Sequence, residues 1–99
     1  MADDFQITPN TLRAQAATAH DAGFTQLAEN LRRAAELTTV PNDELLKMYE
    51  LLRPGRSTHA ELLAVADRLA RDYSAPETAA FVREAAAEYQ RRSLFRKDV

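Results

Sequence analysis

The chain has 99 residues, of which 45% are hydrophobic and 28% charged, and its formal net charge is −2. This length is typical of a single domain with a modest core. The absence of cysteine excludes disulfides and thiolate metal sites and favours a reducing compartment. No apolar run approaches the ~20 residues that cross a bilayer. We therefore expect a soluble, cytoplasmic protein whose net charge favours no class of partner.

The hydrophobic composition is dominated by alanine, which supplies 19 of the 45 hydrophobic residues. Alanine favours the helix strongly but buries little area, and the hydrophobic free energy follows the buried area. The composition therefore predicts an all-helical chain with a thin core. Such a chain is either marginally stable alone or has its alanine faces covered by another subunit.

The first seven residues have no helical pattern, although Phe5 and Ile7 alternate as in an extended arm. Residues 1–7 are either a frayed terminus or an arm laid on a partner. Thr8 is a candidate N-cap for a first helix that runs to about residue 22, where Gly23 ends it.

A second helix is predicted over about residues 25–38 and a third from about residue 41 to 52. Apolar residues at helical spacing mark the inward face of each helix. They are Leu12, Ala16 and Ala19 in the first helix, Leu27, Leu31, Ala34 and Ala35 in the second, and Leu45, Met48, Tyr49 and Leu52 in the third.

The stretch Leu52-Arg53-Pro54-Gly55-Arg56-Ser57-Thr58, hereafter the corner, separates two halves of opposite charge. Residues 1–52 carry a net charge of −4 and residues 53–99 a net charge of +2. Proline and glycine stop the incoming helix. Thr58 and Glu61 have the spacing of a capping box that starts a fourth helix, which runs to about residue 73 with Leu62, Leu63, Ala66 and Leu69 inward.

A second capping box, Ser74 with Glu77, starts a fifth helix from about residue 75 to 93, with an apolar face of Phe81, Val82, Ala85 and Tyr89. The basic residues 91–97 predict a solvated helix end, because six acidic residues between positions 61 and 88 work against binding of nucleic acid.

The predicted fold is all-α, an open up-and-down bundle of three main helices with shorter helices and an irregular N-terminal segment. Short loops favour antiparallel packing of neighbouring helices. We expect one domain over residues 1–99, made of an arm at 1–7, N-terminal helices at 8–53 and a C-terminal helix pair at 57–95.

No catalytic, cofactor-binding or metal-binding residue is predicted in this chain. His20 and His59 lie on different helices, and neither has a second ligand at the spacing of a metal motif. Two glycines are too few for a phosphate-binding loop. The pairs of carboxylates that acid–base catalysis would need fall at helix starts or on solvated faces.

Four residues are candidates for a subunit interface: Arg53, Arg56, Phe81 and Arg83. The two corner arginines have planar heads with several donors, and Phe81 and Arg83 are residue types that anchor interfaces, set among small alanines. An ordinary helix-to-helix turn and an ordinary core helix explain the same residues, and the pattern leaves both interpretations open.

The order and spacing of several segments resemble the small subunit of the adenosylcobalamin-dependent diol and glycerol dehydratases. The resemblance covers about residues 7–90. Its segments are Ile7-Thr8-Pro9, residues 11–13, 26–38 and 40–43, Leu52-Arg53-Pro54, Arg56-Ser57-Thr58, Glu61-Leu62-Leu63, and residues 79–86.

The resemblance implies a helical, non-catalytic subunit that braces a large catalytic subunit. Enzymes of that family are dimers of heterotrimers, and their large and medium subunits hold the cobalamin. An adenosyl radical takes a hydrogen from the 1,2-diol or glycerol, and loss of water gives an aldehyde. No nucleic acid or membrane partner is implied.

Two departures from the family pattern concern the corner and the N-terminus. Gly55 stands where family members often have tyrosine, which predicts a more flexible corner. Only about seven residues precede the shared region, which argues against association with a bacterial microcompartment through this subunit.

Two other classes of function fit the residues without the resemblance. A stand-alone helical adaptor would be a stable monomer or homodimer. A nucleic-acid-binding regulator would use residues 91–97 and bind in a salt-sensitive manner.

Overall fold

The computed structural model describes residues 8–97, and it is all-helical over that range, which confirms the predicted all-α class. The five helices are α1 (Pro9–Asp21), α2 (Thr25–Leu37), α3 (Asn42–Leu51), α4 (His59–Asp72) and α5 (Pro76–Arg91). The predicted arm at residues 1–7 lies outside the described residues.

The chain divides after Thr38 into two compact units. The first unit holds α1 and α2, and the second holds α3, α4 and α5. Each unit contains one pair of helices that pack along their length, α1 with α2 and α4 with α5.

The first unit is a helix hairpin whose short connection is fixed by Gly23. Gly23 has φ of 88°, a left-handed conformation that costs glycine little. The amide of Phe24 donates to the carbonyl of Ala19 at 2.8 Å and the amide of Gly23 to that of His20 at 3.0 Å. These two bonds form a Schellman motif. At the other end of α1, the Thr8 hydroxyl accepts from the Thr11 amide at 3.1 Å, as the predicted cap requires.

The contact between α1 and α2 is made mostly by alanine. The buried residues are Leu12, Ala16 and Ala19 on α1 and Ala28 and Ala35 on α2. The prediction that Leu27 faces inward is wrong, because its side chain is 50% exposed and Ala28 takes the contact position. Ala34 is likewise exposed. Small side chains allow two helix backbones to approach closely, and a leucine at the contact would hold them apart.

The second unit is built on the α4–α5 pair. The buried residues of its helices are Leu62, Val65, Ala66 and Leu69 on α4, Thr78, Ala79, Val82 and Ala86 on α5, and Met48 on α3. Leu63, Tyr49 and Phe81 were predicted to face inward and are exposed. Each of these three neighbours a buried residue that was also predicted to face inward, so the buried face of each helix is narrower than the predicted one.

The two predicted capping boxes have different outcomes. At α4 the Thr58 hydroxyl accepts from the Glu61 amide at 3.2 Å, and the Glu61 carboxylate accepts from the Thr58 amide at 3.1 Å. The capping box at Ser74 is wrong, because the N-cap of α5 is Ala75 and no side chain caps it. Ser74 instead terminates α4 with φ of 49°, and the amide of Ala75 returns to the carbonyl of Leu69 at 2.9 Å.

The two sites predict different responses to alanine. Thr58→Ala should lower the free energy of unfolding by about 1 kcal/mol, because the Glu61 amide loses its acceptor. Ser74→Ala should change the free energy of unfolding by less than about 0.5 kcal/mol, because the hydroxyl of Ser74 caps neither α4 nor α5. Urea unfolding followed by far-UV circular dichroism measures both, with Thr58→Ser as the conservative control. Equal losses at both positions would contradict this assignment.

Candidate functional site

The corner is a hydrogen-bonded turn that leads from α3 into α4. The amide of Arg53 donates to the carbonyl of Glu50 at 3.2 Å, and the amide of Arg56 donates to that of Arg53 at 3.1 Å. Gly55 has φ of 81° and no atom within 4 Å of the position that a Cβ would take. Ser57 follows and is 1% exposed. The backbone conformation, and not crowding, therefore favours glycine at position 55.

Helix α5 ends near the corner through a second Schellman motif. The amide of Leu94 donates to the carbonyl of Tyr89 at 2.9 Å, and the amide of Ser93 donates to that of Gln90 at 3.3 Å. Ser93 has φ of 57° in the position that glycine usually takes. The helix therefore stops at Arg91, two residues before its predicted end, and the chain turns back.

Residues 94–97, hereafter the C-terminal tail, lie along the corner. The amide of Gly55 donates to the carbonyl of Leu94, and the amide of Arg96 donates to that of Ser57, each at 2.7 Å. The Phe95 ring makes edge contacts with two rings, at 5.5 Å from His59 and 5.9 Å from Tyr89. These contacts join the C-terminal tail to the corner, to the start of α4 and to the last turn of α5.

The tyrosine that contacts Phe95 also holds the corner. The Tyr89 hydroxyl donates to the backbone carbonyl of Leu52, at the end of α3. The prediction of a solvated helix end therefore holds for the exposed Arg91, Arg92 and Arg96 but is wrong for Leu94 and Phe95, which are half-buried. Leu94 and Phe95 form an apolar pair within the basic residues 91–97, and this pair is the sequence feature that indicates the contact of the tail with the corner.

Arginines outnumber carboxylates around the corner and the tail. Glu50 is shared by Arg53 at 3.3 Å and Arg56 at 3.5 Å. Glu88 is likewise shared by two arginines, and Glu61 pairs with one. These are Arg91 and Arg92 on Glu88, the latter at 2.6 Å, and Arg96 on Glu61 at 3.1 Å. The result is an exposed surface of arginines with carboxylates between them.

The four predicted interface residues fall into two groups. Arg53 and Arg56 lie together on Glu50 at the corner. Phe81 and Arg83 lie on the exposed side of α5, where Phe81 is 44% exposed and Arg83 pairs with Asp67 of α4 at 3.0 Å. The exposure of all four is compatible with an interface, and their role stays a prediction.

A cluster of charges also joins α3 to α4. The Arg68 guanidinium lies 3.1 Å from the Glu44 carboxylate and 3.7 Å from that of Asp72. The Glu44 charge and a hydrogen bond with Tyr73 raise the pKa of Arg68 above its usual value. Because arginine is already charged at neutral pH, this cluster has a structural role and not one in proton transfer.

An apolar groove on the first unit was not found from the sequence. It has a volume of about 730 Å³ and lies between α1 and α2. Phe24 and Leu27 form part of its wall and are 62% and 50% exposed. Its lining contains no charged residue and comprises Thr11, Ala14, Gln15, Thr18, Ala19, Ala22, Phe24, Leu27 and Leu31.

Both histidines have identified neighbours. His20 lies 3.6 Å from the carboxylate of Asp21, and the ring of His59 packs against Phe95. Within residues 8–97 no group of three or more histidine, cysteine, aspartate or glutamate side chains is arranged to hold a metal ion. No helix in the described range is long and apolar enough to cross a membrane.

Comparison with known proteins agrees with the resemblance seen in the sequence. Residues 1–96 match the sequence profile of the family described as dehydratase small subunit. The chain belongs to this family. The profile therefore includes both the corner and most of the C-terminal tail.

Two curated members of the dehydratase small subunit family are similar to the chain over nearly its whole length. They are the propanediol dehydratase small subunits of Salmonella typhimurium and Citrobacter freundii, each 56% identical over 97 residues. The aligned region is 98% of this chain and 56% of each relative, so the chain spans little more than half the length of these relatives.

The hydrogen bond from the Tyr89 hydroxyl to the carbonyl of Leu52 predicts that removal of the hydroxyl destabilises the fold. Tyr89→Phe should lower the free energy of unfolding by about 1 kcal/mol, because the half-buried carbonyl of Leu52 loses its donor while the ring contacts remain. Urea unfolding measures the change. Tyr49→Phe is the matched control, because that ring is 52% exposed. A loss at Tyr49 equal to that at Tyr89 would contradict the assigned hydrogen bond.

Proposed function

We propose that this chain is the non-catalytic small subunit of a cobalamin-dependent dehydratase that converts 1,2-diols such as propanediol, or glycerol, to aldehydes. The observation that supports this most directly is the 56% identity over 97 residues with propanediol dehydratase small subunits. The propanediol or glycerol substrate binds the large subunit, in agreement with the family resemblance.

The proposed partners are the large and medium subunits of the same enzyme, assembled as a dimer of heterotrimers. Adenosylcobalamin supplies the radical chemistry and is held by those two subunits. A cytoplasmic location fits a chain without cysteine.

The role proposed for this chain is to brace the large subunit. The α1–α2 pair meets largely on alanine, so the first unit buries little apolar area of its own. Several large apolar side chains are at the same time exposed. They are Phe24, Leu27, Leu46, Tyr49, Leu63 and Phe81. Phe24 and Leu27 line one apolar groove, and neighbouring exposed apolar groups of this kind favour a protein partner.

Co-expression with the large and medium subunits tests the proposal. We expect the three chains to co-elute in size-exclusion chromatography and aldehyde formation with added adenosylcobalamin to fall when this chain is omitted. Separate elution as a folded protein, with activity indifferent to its presence, would refute the subunit role and favour the stand-alone adaptor.

The α5 candidates predict a specific effect on assembly. Phe81→Ala combined with Arg83→Ala should weaken association with the larger subunits about tenfold or more, because aromatic and arginine side chains anchor interfaces. The helix content measured by circular dichroism should stay unchanged, since both side chains are exposed. Lys47→Ala combined with Arg71→Ala, at two exposed positions that are not among the interface candidates, is the control. Unchanged affinity in the α5 variant would remove this face from the interface.

A further inference from the structure

We propose that the C-terminal tail, by closing onto the corner, completes a basic surface that docks a carboxylate-rich surface of the large dehydratase subunit. This inference rests on the proposed function and names the part of the chain that makes the contact. The surface consists of Arg53 and Arg56 from the corner and Arg92 and Arg96 from the end of α5 and the tail.

The closure of the tail holds these arginines together. Two backbone hydrogen bonds join the corner to the tail, from Gly55 to Leu94 and from Arg96 to Ser57. Arg53 and Arg56 flank the first of these bonds in sequence, and Arg96 makes the second. The Phe95 ring, packed on His59 and Tyr89, keeps the tail in place. The tail thereby holds Arg96 beside the corner, whereas Arg92 is carried by the end of α5.

Arg53, Arg56 and Arg92 carry more donors than their own carboxylates use. A guanidinium has five N–H donors, whereas Glu50 and Glu88 are each shared by two arginines. The side chains are also accessible, with exposed fractions of 62% for Arg53, 56% for Arg56 and 67% for Arg92. A partner carboxylate can therefore pair with an arginine while the internal ion pair remains.

The surface suits an acidic protein better than nucleic acid. Glu50, Glu61 and Glu88 lie between the arginines and would repel a continuous row of phosphates. Separate carboxylates on a protein can instead approach each arginine from outside. Arginine is also the cation preferred at protein interfaces, because its planar head pairs with a carboxylate through two parallel hydrogen bonds.

The experiment measures the affinity of the full chain for the copurified large and medium subunits at several salt concentrations. We expect wild-type affinity to fall as salt rises. Arg53→Glu with Arg56→Glu should weaken binding about tenfold or more at low salt, because like charges now face each other. Arg13→Glu with Arg71→Glu makes the same change in net charge at two other exposed positions, and it should change affinity less than about twofold.

A second variant tests the closure of the tail without changing any charge. Phe95→Ala should speed hydrogen exchange at the amides of Gly55 and Arg56 and weaken binding several-fold. Exchange in α1 and α2, which belong to the other unit, should stay as in the wild type. Faster exchange at Gly55 with wild-type affinity would show that the closed tail is not needed for docking.

The outcomes separate this inference from the proposed function. No binding by the wild type would refute the subunit role itself. Wild-type binding with unchanged affinity in the Arg53/Arg56 variant, or with equal losses in that variant and its control, would refute the basic docking surface alone. Tighter binding to a DNA duplex than to the two subunits, lost in the same variant, would assign the surface to nucleic acid and overturn the proposal.

Discussion

The packing of helix on helix through alanine is the constraint on which the rest of this structure depends. Ala16, Ala19, Ala28 and Ala35 bring α1 and α2 together, and Ala66, Ala79 and Ala86 lie in the contact of α4 with α5 beside Leu62, Leu69 and Val82. Contacts between alanines allow close approach of the backbones but remove little apolar area from water. Several larger apolar side chains, such as Leu27 on α2 and Phe81 on α5, are meanwhile exposed. A subunit built in this way gains stability from whatever covers those side chains.

The second unit compensates for its small core with polar and backbone contacts at its ends. The capping box at Thr58 begins α4, and the hydroxyl of Tyr89 holds the end of α3. The tail adds two backbone hydrogen bonds to the corner and a cluster of three rings. These contacts are directional, so they fix the geometry of the corner more than they add to the hydrophobic free energy. The arginines that surround the corner are thereby carried on a defined backbone.

Much of the fold was predictable because its signals are local. Helix starts and stops at Thr8, Gly23 and Thr58 follow from capping chemistry, and the structure places them as predicted. The side of each helix that is buried was predicted less well. Periodicity gives leucine the inward position. On α2, however, Ala28 is buried and Leu27 is exposed, and on α4 Leu62 is buried and Leu63 is exposed. The return of the tail was not predictable from a helical pattern, because Ser93 takes a conformation usually assigned to glycine and the bonds it allows join residues far apart in sequence.

The two serines in left-handed conformation have a consequence for protein engineering. Ser74 and Ser93 occupy φ values of 49° and 57°, where a Cβ is strained and glycine is not. Each is therefore a position at which glycine could raise thermal tolerance without altering a contact of the buried core. The two are not equivalent, however. What differs is the segment that each turn directs: Ser74 leads from α4 into α5, and Ser93 leads from α5 into the tail. Glycine at either position would also enlarge the set of conformations open to the unfolded chain, which offsets part of the strain relieved. A programme to obtain a more heat-resistant subunit would accordingly test the two substitutions separately.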